Sequence, residues 1–491
     1  MSRRHRSGTA GGVMLTLSAG SDPAGAYNGQ RRKRKRPPRG ARCGNAASRS
    51  RLGSRNLAGA SCQQIGALLL LLASAATARG QADFLSSAEL HQAGLVKSWQ
   101  LQLPLAAGQQ VADSYLVDDQ IYVTTQDGFV YAVDAATGAL RWLNRVTRGG
   151  YRILRPCHAG ERVIFITPAE LTQFGRYDGG PIRQFLFRFP AGSPPVSDGT
   201  FFYVGGINRR VYAFPLDWEF EAWKAGAAGQ VLGQPALFGG HLFFASEGGD
   251  IYSCVAGNKQ HEWAVQVRGS VTADLVVDDN GVYVACRDRS LYLFDSATGG
   301  RRWRARLSSP LYEPPFATPD VAYQFSADDG LVAIHTGAVP SEARIRWRLP
   351  EGRMALAVDP RFVYVLSRDQ KLLVVRSADG KVQHSVAATG FALGMPSPGG
   401  SGIFLASTDG RLFCARQRGA ALVAARDVRR ALGQAAPLAE PAAAPSAVAS
   451  APAAPPAAAR APAGAQLVRR AIIGGKSKVT KQFLSGQPAA P

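Results

Sequence analysis

The stretch "DGFVYAVDAATGALRW", Asp127 to Trp142, reads as strand, tight turn, strand. The runs 129–134, rich in β-branched and aromatic residues, and 139–145, which holds Trp142, are bounded by turn residues and read as β-strands. Asp127-Gly128 supplies a hairpin turn, because glycine tolerates a positive φ, and Ala136-Thr137-Gly138 supplies the next turn. Two more strand-like runs precede these, at 111–117 and 120–125. The unit is therefore a small antiparallel sheet, and the fold depends on whether the unit recurs.

It does recur. Residues 121–142, "IYVTTQDGFVYAVDAATGALRW", lie over 282–303, "VYVACRDRSLYLFDSATGGRRW", without a gap and with ten of 22 positions identical. The offset, 282 − 121 = 161, is close to four times forty. Intermediate copies place Tyr212, Tyr252 and Tyr292 in the phase of Tyr131, and Ala333, Leu373 and Phe413 continue it in steps of 41, 40 and 40. A degenerate copy at 162–180 fills the wide step between Tyr131 and Tyr212, which makes eight. Trp142, Trp223, Trp263 and Trp303 each follow their tyrosine by 11 residues, and Trp347 follows Ala333 by 14. Four antiparallel strands per ~40 residues, eight times over, predict an all-β, eight-bladed β-propeller across 83–428. A closed ring also removes the exposed sheet edges that an open row of blades would leave.

Each motif residue has a structural role in this reading. Tyr131 and Trp142 fill the gaps between blades, and Ala132 leaves space for a neighbour's indole. Asp134 accepts turn amides and Gly138 turns the chain, with Asp295 and Gly299 in the same roles later. Trp99, 43 residues before Trp142, has the phase of an outer strand and is expected to complete the eighth blade, whose late segment 420–428 has no tryptophan. The competing reading lets 420–428 close that blade itself and leaves Trp99 on a loose arm.

The pattern Ala132-x-Asp134-x-x-x-Gly138-x-x-x-Trp142 resembles the pyrroloquinoline-quinone-type propeller repeat. That repeat occurs in quinone-dependent alcohol dehydrogenases and in proteins like the outer-membrane-protein assembly factor BamB. An eight-bladed ring behind an export signal is similar to BamB in size, whereas the dehydrogenases are generally larger. The resemblance leaves two functions open: a non-enzymatic binding scaffold of the cell envelope, or a quinone-dependent dehydrogenase-like enzyme, intact or degenerate. The adjacent Cys-Cys pair of the dehydrogenases is not in this sequence, nor is an Asp-x-Asp-x-Asp-Gly calcium loop or a Cys-x-x-Cys-His haem motif. Asp118-Asp119, Asp278-Asp279 and Asp328-Asp329 are expected to open hairpins at one common place in the repeat. His158, His241, His261, His335 and His384 lack zinc spacing. The reading is therefore of no enzyme, cofactor or metal. Cys157, Cys254, Cys286 and Cys414 read as small buried strand residues. A monomer with a protein partner is expected. The segment "PLDWEFEAWK" (215–224) departs from the repeat's plain turn, so Trp218 and Phe220 are the candidate partner contacts.

Formal charge is +22, but its distribution argues against a nucleic-acid partner. Residues 1–80 carry 15 Lys/Arg and one acid, and 415–491 carry 11 and two. That leaves 57 − 15 − 11 = 31 basic against 35 − 1 − 2 = 32 acidic residues for 81–414. Residues 1–50 read as a basic low-complexity leader or a mis-assigned start, and both chain ends are expected to be disordered. Within 51–82, the run "IGALLLLLASAATA" (65–78) follows Arg51 and Arg55 and closes on small residues, the build of a signal peptide cleaved near 78–82. Export to the periplasm or cell envelope follows. After the ring, 429–466 is an Ala/Pro-rich linker, and 467–491 is a basic tail that could touch an anionic membrane surface or be simply solvated. N-terminal sequencing of the exported protein should find a start between Arg79 and Asp83; a cytoplasmic product beginning near Met1 would refute the signal.

Overall fold

The computed structural model describes residues 82–420, apart from 149, 341–343 and 399. The leader, signal peptide, linker and basic tail read from the sequence lie outside the described residues, as does all of 420–428 but Ala420.

Eight four-stranded antiparallel sheets make eight blades. Blades one to seven span 111–145, 157–186, 196–226, 236–266, 276–306, 316–349 and 352–387, each built from consecutive strands. Blade eight takes three strands from 393–417 and its outermost from Leu95–Gln102. The architecture is thus the all-β, eight-bladed propeller that the repeat arithmetic predicts. The one described helix, Ser87–Gln92, is short, and no described helix is long and apolar enough to cross a membrane.

Alternation along the strands explains how a flat sheet becomes a blade buried on both faces. In the third strand of blade one, Tyr131 packs toward blade eight and the adjacent Ala132 toward blade two. The apolar core is accordingly divided into eight slabs, one between each pair of neighbouring blades. Large fully buried side chains such as Tyr122, Tyr203, Tyr283 and Phe243 come from the second strands, where both faces are covered.

Ring closure joins the two ends of the fold. Leu95–Gln102 pairs antiparallel with Arg411–Gln417, with Trp99 opposite Cys414 and a register shift between Lys97 and Trp99. The chain just before this strand is also used. Helix Ser87–Gln92 is capped by the Ser86 hydroxyl, which accepts the Glu89 N–H at 3.3 Å, and it buries Leu90 in the slab between blades seven and eight. Glu89 in turn accepts the Ala387 N–H at the end of blade seven's outer strand, at 3.1 Å. Residues 85–102 therefore brace blade seven as well as completing blade eight.

Deleting residues 83–105 should expose the edge of Arg411–Gln417 and the apolar slab beneath the helix. Loss of the cooperative thermal transition or aggregation is expected, whereas deleting 433–491 should leave the transition nearly unchanged. Scanning calorimetry of both truncations checks this, and a harmless N-terminal deletion would contradict it.

Candidate functional site

Repeated contacts between blades come first, because they decide which residues are free for function. Trp142 stands cross-strand from Ala132 of its own blade, which leaves room for the ring, and its indole projects onto blade two. There its Nε1–H donates to Arg176 O at 3.1 Å, and the ring lies on Gly179, where a Cβ would come within 2.7 Å. Trp99 repeats the contact on Ala135 O and Gly138, Trp263 on Ser296 O and Gly299, and Trp347 on Ser377 O and Gly380. Each of these glycines has a positive φ between 68° and 73°, so a side chain would be both strained and in collision. Trp303 donates to Thr336 O, but Arg344 covers its ring in place of a glycine. Trp223 is buried, and its Nε1 has no partner among the described residues.

The turns themselves are held by carboxylates. Asp134 Oδ1 accepts the N–H groups of Ala136 and Thr137 and the Thr137 hydroxyl, at 2.8–3.1 Å, and its other oxygen pairs with Arg141. Asp295 does the same with Ala297, Thr298 and Arg302, and the Arg302 hydrogen bond above all holds its carboxyl down at about 2. Tyr131 and Tyr292 are buried and donate their hydroxyls to Pro104 O and Asp288. Tyr212 stacks on Phe189, and half-buried Tyr252 accepts the Ala228 N–H. At the weak sixth copy the place of Tyr131 belongs to Val332, because Ala333 pairs with Trp347 as Ala132 pairs with Trp142. All of these side chains are committed to internal contacts.

The inner side of the ring holds a different constellation. First strands of blades one to five line a cavity of about 140 Å³, with Asp118, Arg155, His158, Gln234 and Asp274 among its walls. His158 Nδ1 lies 2.8 Å from Asp118, and its Nε2 lies 2.8 Å from the Tyr122 hydroxyl. The Nδ1–H tautomer satisfies both: it donates to Asp118 and leaves Nε2 to accept from Tyr122. Arg176 from blade two pairs with Asp119 and approaches Asp118 at 3.5 Å. Burial pushes His158 below its ordinary value against the opposing hydrogen bond from Asp118, and burial pushes the Tyr122 hydroxyl up. Burial works most strongly against the charge on Arg176, but the hydrogen bond to Asp119 and the charges of Asp119 and Asp118 together outweigh it. The result is a neutral histidine clamped between two blades, with its tyrosine fully covered. A Tyr-His-Asp chain can hold a proton, but this one presents no nucleophile to the cavity, because the Tyr122 hydroxyl is spent on His158.

Sequence reasoning did not bring Asp118, His158 and Arg176 together, because they lie 40 and 58 positions apart and meet only when blade two packs on blade one. The paired aspartates also differ from expectation. Asp118-Asp119 and Asp278-Asp279 lie between first and second strands, whereas Asp328-Asp329 lies between second and third strands, so they share no common place. Among the described residues no group of three or more His, Cys, Asp or Glu is arranged to hold a metal ion. The four described cysteines are buried and unpaired, and burial pushes the Cys254 and Cys414 thiols up to about 12.

On the outside, Trp218 is 65% exposed and Phe220 52% exposed. Both sit in the turn between the third and outer strands of blade three. The turn is anchored to blade two by Arg162, which donates to Asp217 at 2.7 Å, and by Gln173, which donates to Leu216 O at 3.2 Å. The Arg188 guanidinium lies 4.7 Å from the Phe220 ring centre, a cation–π contact.

Residues 94–180 and 255–389 match the family described as "Outer membrane protein assembly factor BamB". Among solved structures, the computationally designed Ika8 protein aligns with a TM-score of 0.53 at 11% identity, covering 64% of this chain and 98% of that one. BamB from Moraxella catarrhalis aligns with a TM-score of 0.40 at 15% identity, covering 66% of this chain and 99% of that one. At these identities the likeness to the designed protein is one of fold. No curated protein matches the chain in sequence.

The buried histidine generates a pH prediction. Its folded-state value lies below that of the unfolded chain, so on acidification the unfolded chain takes up the proton first. The histidine's contribution to stability should fall as pH drops below about 6.5 and level off below its folded-state value. Thermal melting between neutral pH and about pH 5 checks this; His158→Gln should flatten the slope, and an unchanged slope would contradict the assignment.

Proposed function

We propose that this chain, a β-propeller of the pyrroloquinoline-quinone-like repeat type that resembles BamB, is a non-enzymatic protein-binding scaffold of the cell envelope that serves outer-membrane protein assembly. The observation that carries the reading is the turn holding Trp218 and Phe220. Large aromatic side chains elsewhere on the ring are mostly buried between blades, yet these two project into solvent from a turn that is pinned at its base. Exposed aromatics on a rigid support are the usual anchors of protein interfaces. The family match over 94–180 and 255–389 supports the assembly role, and the apolar run at 65–78 supports export.

The mature protein, immobilised and challenged with envelope extract, should retain a saturable protein partner. A Trp218→Ser/Phe220→Ser double variant should retain much less while melting at the same temperature, because both side chains are exposed. Failure to retain any protein, together with dye reduction by a form reconstituted with pyrroloquinoline quinone, would overturn the scaffold and favour an oxidoreductase.

A further inference from the structure

The outer strand of blade two, Pro181–Leu186, differs from the other outer strands. It is the last strand of its sheet and pairs only with Glu170–Gly175. Every blade has such an edge, and natural proteins usually protect edges with charge. Blade five exposes Arg304 and Arg306 there, blade three Lys224, and blade four Glu262. Blade two instead exposes Ile182 at 46% and Leu186 at 73%, the largest exposure among the large apolar residues described. Among the described outer strands, only this one exposes two large aliphatic side chains.

The surroundings of the edge are apolar on both sides. Gln184 and Leu186 share one face of the strand, Arg183 and Phe185 point to the other face, where Phe185 packs against blade three, and Ile182 stands exposed at a bulge between Pro181 and Arg183. On that second side the turn with Trp218 and Phe220 lies against blade two, through Gln173 and Arg162 at its base and Arg188 over the Phe220 ring. The backbone is equally specific. Phe187 donates its N–H to Ala169 O across the sheet, so alternation turns the N–H and C=O groups of Gln184 and Leu186 outward. A row of outward amides flanked by apolar side chains is complemented by another extended backbone with apolar residues at alternate positions. The neighbouring turn also sets the charge of that segment. Glu219 is exposed and has no ion-pair partner among the described residues, so a basic residue at one end of the incoming strand fits it.

We propose that the free edge of Pro181–Leu186 is a strand-addition site that takes an extended segment of a partner protein, alternating apolar and polar residues and basic at one end. The proposal rests on the scaffold reading and gives it a location and a ligand chemistry. The incoming strand adds a fifth strand to blade two, with its side chains over Leu186 on one face and toward Trp218 and Phe220 on the other, and its end beside Ile182.

A labelled peptide of about eight alternating valine and threonine residues, ended by two lysines, matches the strand's length. Fluorescence anisotropy with the mature protein should show saturable binding. Leu186→Lys and Gln184→Pro should each weaken it by at least about tenfold, the first by charging the edge and the second by deleting an outward N–H. Ala264→Lys on the outer strand of blade four should leave binding unchanged, and all three variants should melt like the parent protein. No saturable binding, binding indifferent to the two blade-two variants, or equal weakening by Ala264→Lys would overturn the proposal. So would a disulfide formed between Leu186→Cys and a cysteine placed within 467–484, which would make the chain's own basic tail the occupant. An envelope partner that co-purifies undiminished with Leu186→Lys overturns the edge site while leaving the scaffold reading standing.

Discussion

The ring depends on one contact, the seating of an outer-strand indole on the first turn it meets in the next blade. The indole needs a flat backbone surface and an acceptor. A glycine with positive φ provides the first, and the carbonyl three residues before it provides the second, as Gly138 and Ala135 do for Trp99. The contact binds blades eight, one, four and six to their successors at the outer rim, where diverging blades would otherwise let water in. Deleting a buried tryptophan typically costs about 3–5 kcal/mol, so several such contacts are a large part of what a domain's marginal stability can spare.

Where the indole is missing, another group takes its place. Blade two has Arg183 at the tryptophan position, and the turn of blade three is tied to blade two by Asp217, which accepts from Arg162. Blade seven has His384 there, exposed, and the helix Ser87–Gln92 fills the space between blades seven and eight instead. These two departures lie beside the features with functional interest, the aromatic turn and the N-terminal brace. An interface relieved of its indole can carry a loop with another purpose, whereas an interface that keeps it has little surface to offer.

The inner cluster of Asp118, His158, Tyr122 and Arg176 has a different character. Its carboxylates are paired with Arg176 and its histidine is kept neutral by burial, so it reads as a polar fastening between blades one and two. A buried polar group left without its partner costs much more than a satisfied pair contributes, so such a chain enforces one relative setting of the two blades.

The sequence by itself determined the class of fold, the number of blades and their phase. Repetition at forty residues is a local, countable property, and each copy carries its own strands and turns: Tyr131 with Trp142, Tyr212 with Trp223, Tyr292 with Trp303. Only the tertiary structure decided which faces of those strands meet, because a period of two says that Tyr131 and Ala132 diverge but not which neighbour each will face. It also decided that Val332 and not Ala333 stands in the place of Tyr131, since a one-residue change in a hairpin is invisible until the strands pair. Asp118 and His158 met through blade packing alone. The exposure of Ile182 and Leu186 was equally illegible, because "PIRQFL" sets its apolar residues in adjacent pairs and does not say which of each pair is covered. Whether its apolar positions are covered depends on what the neighbouring blades place there, and that is a property of the closed ring rather than of the segment.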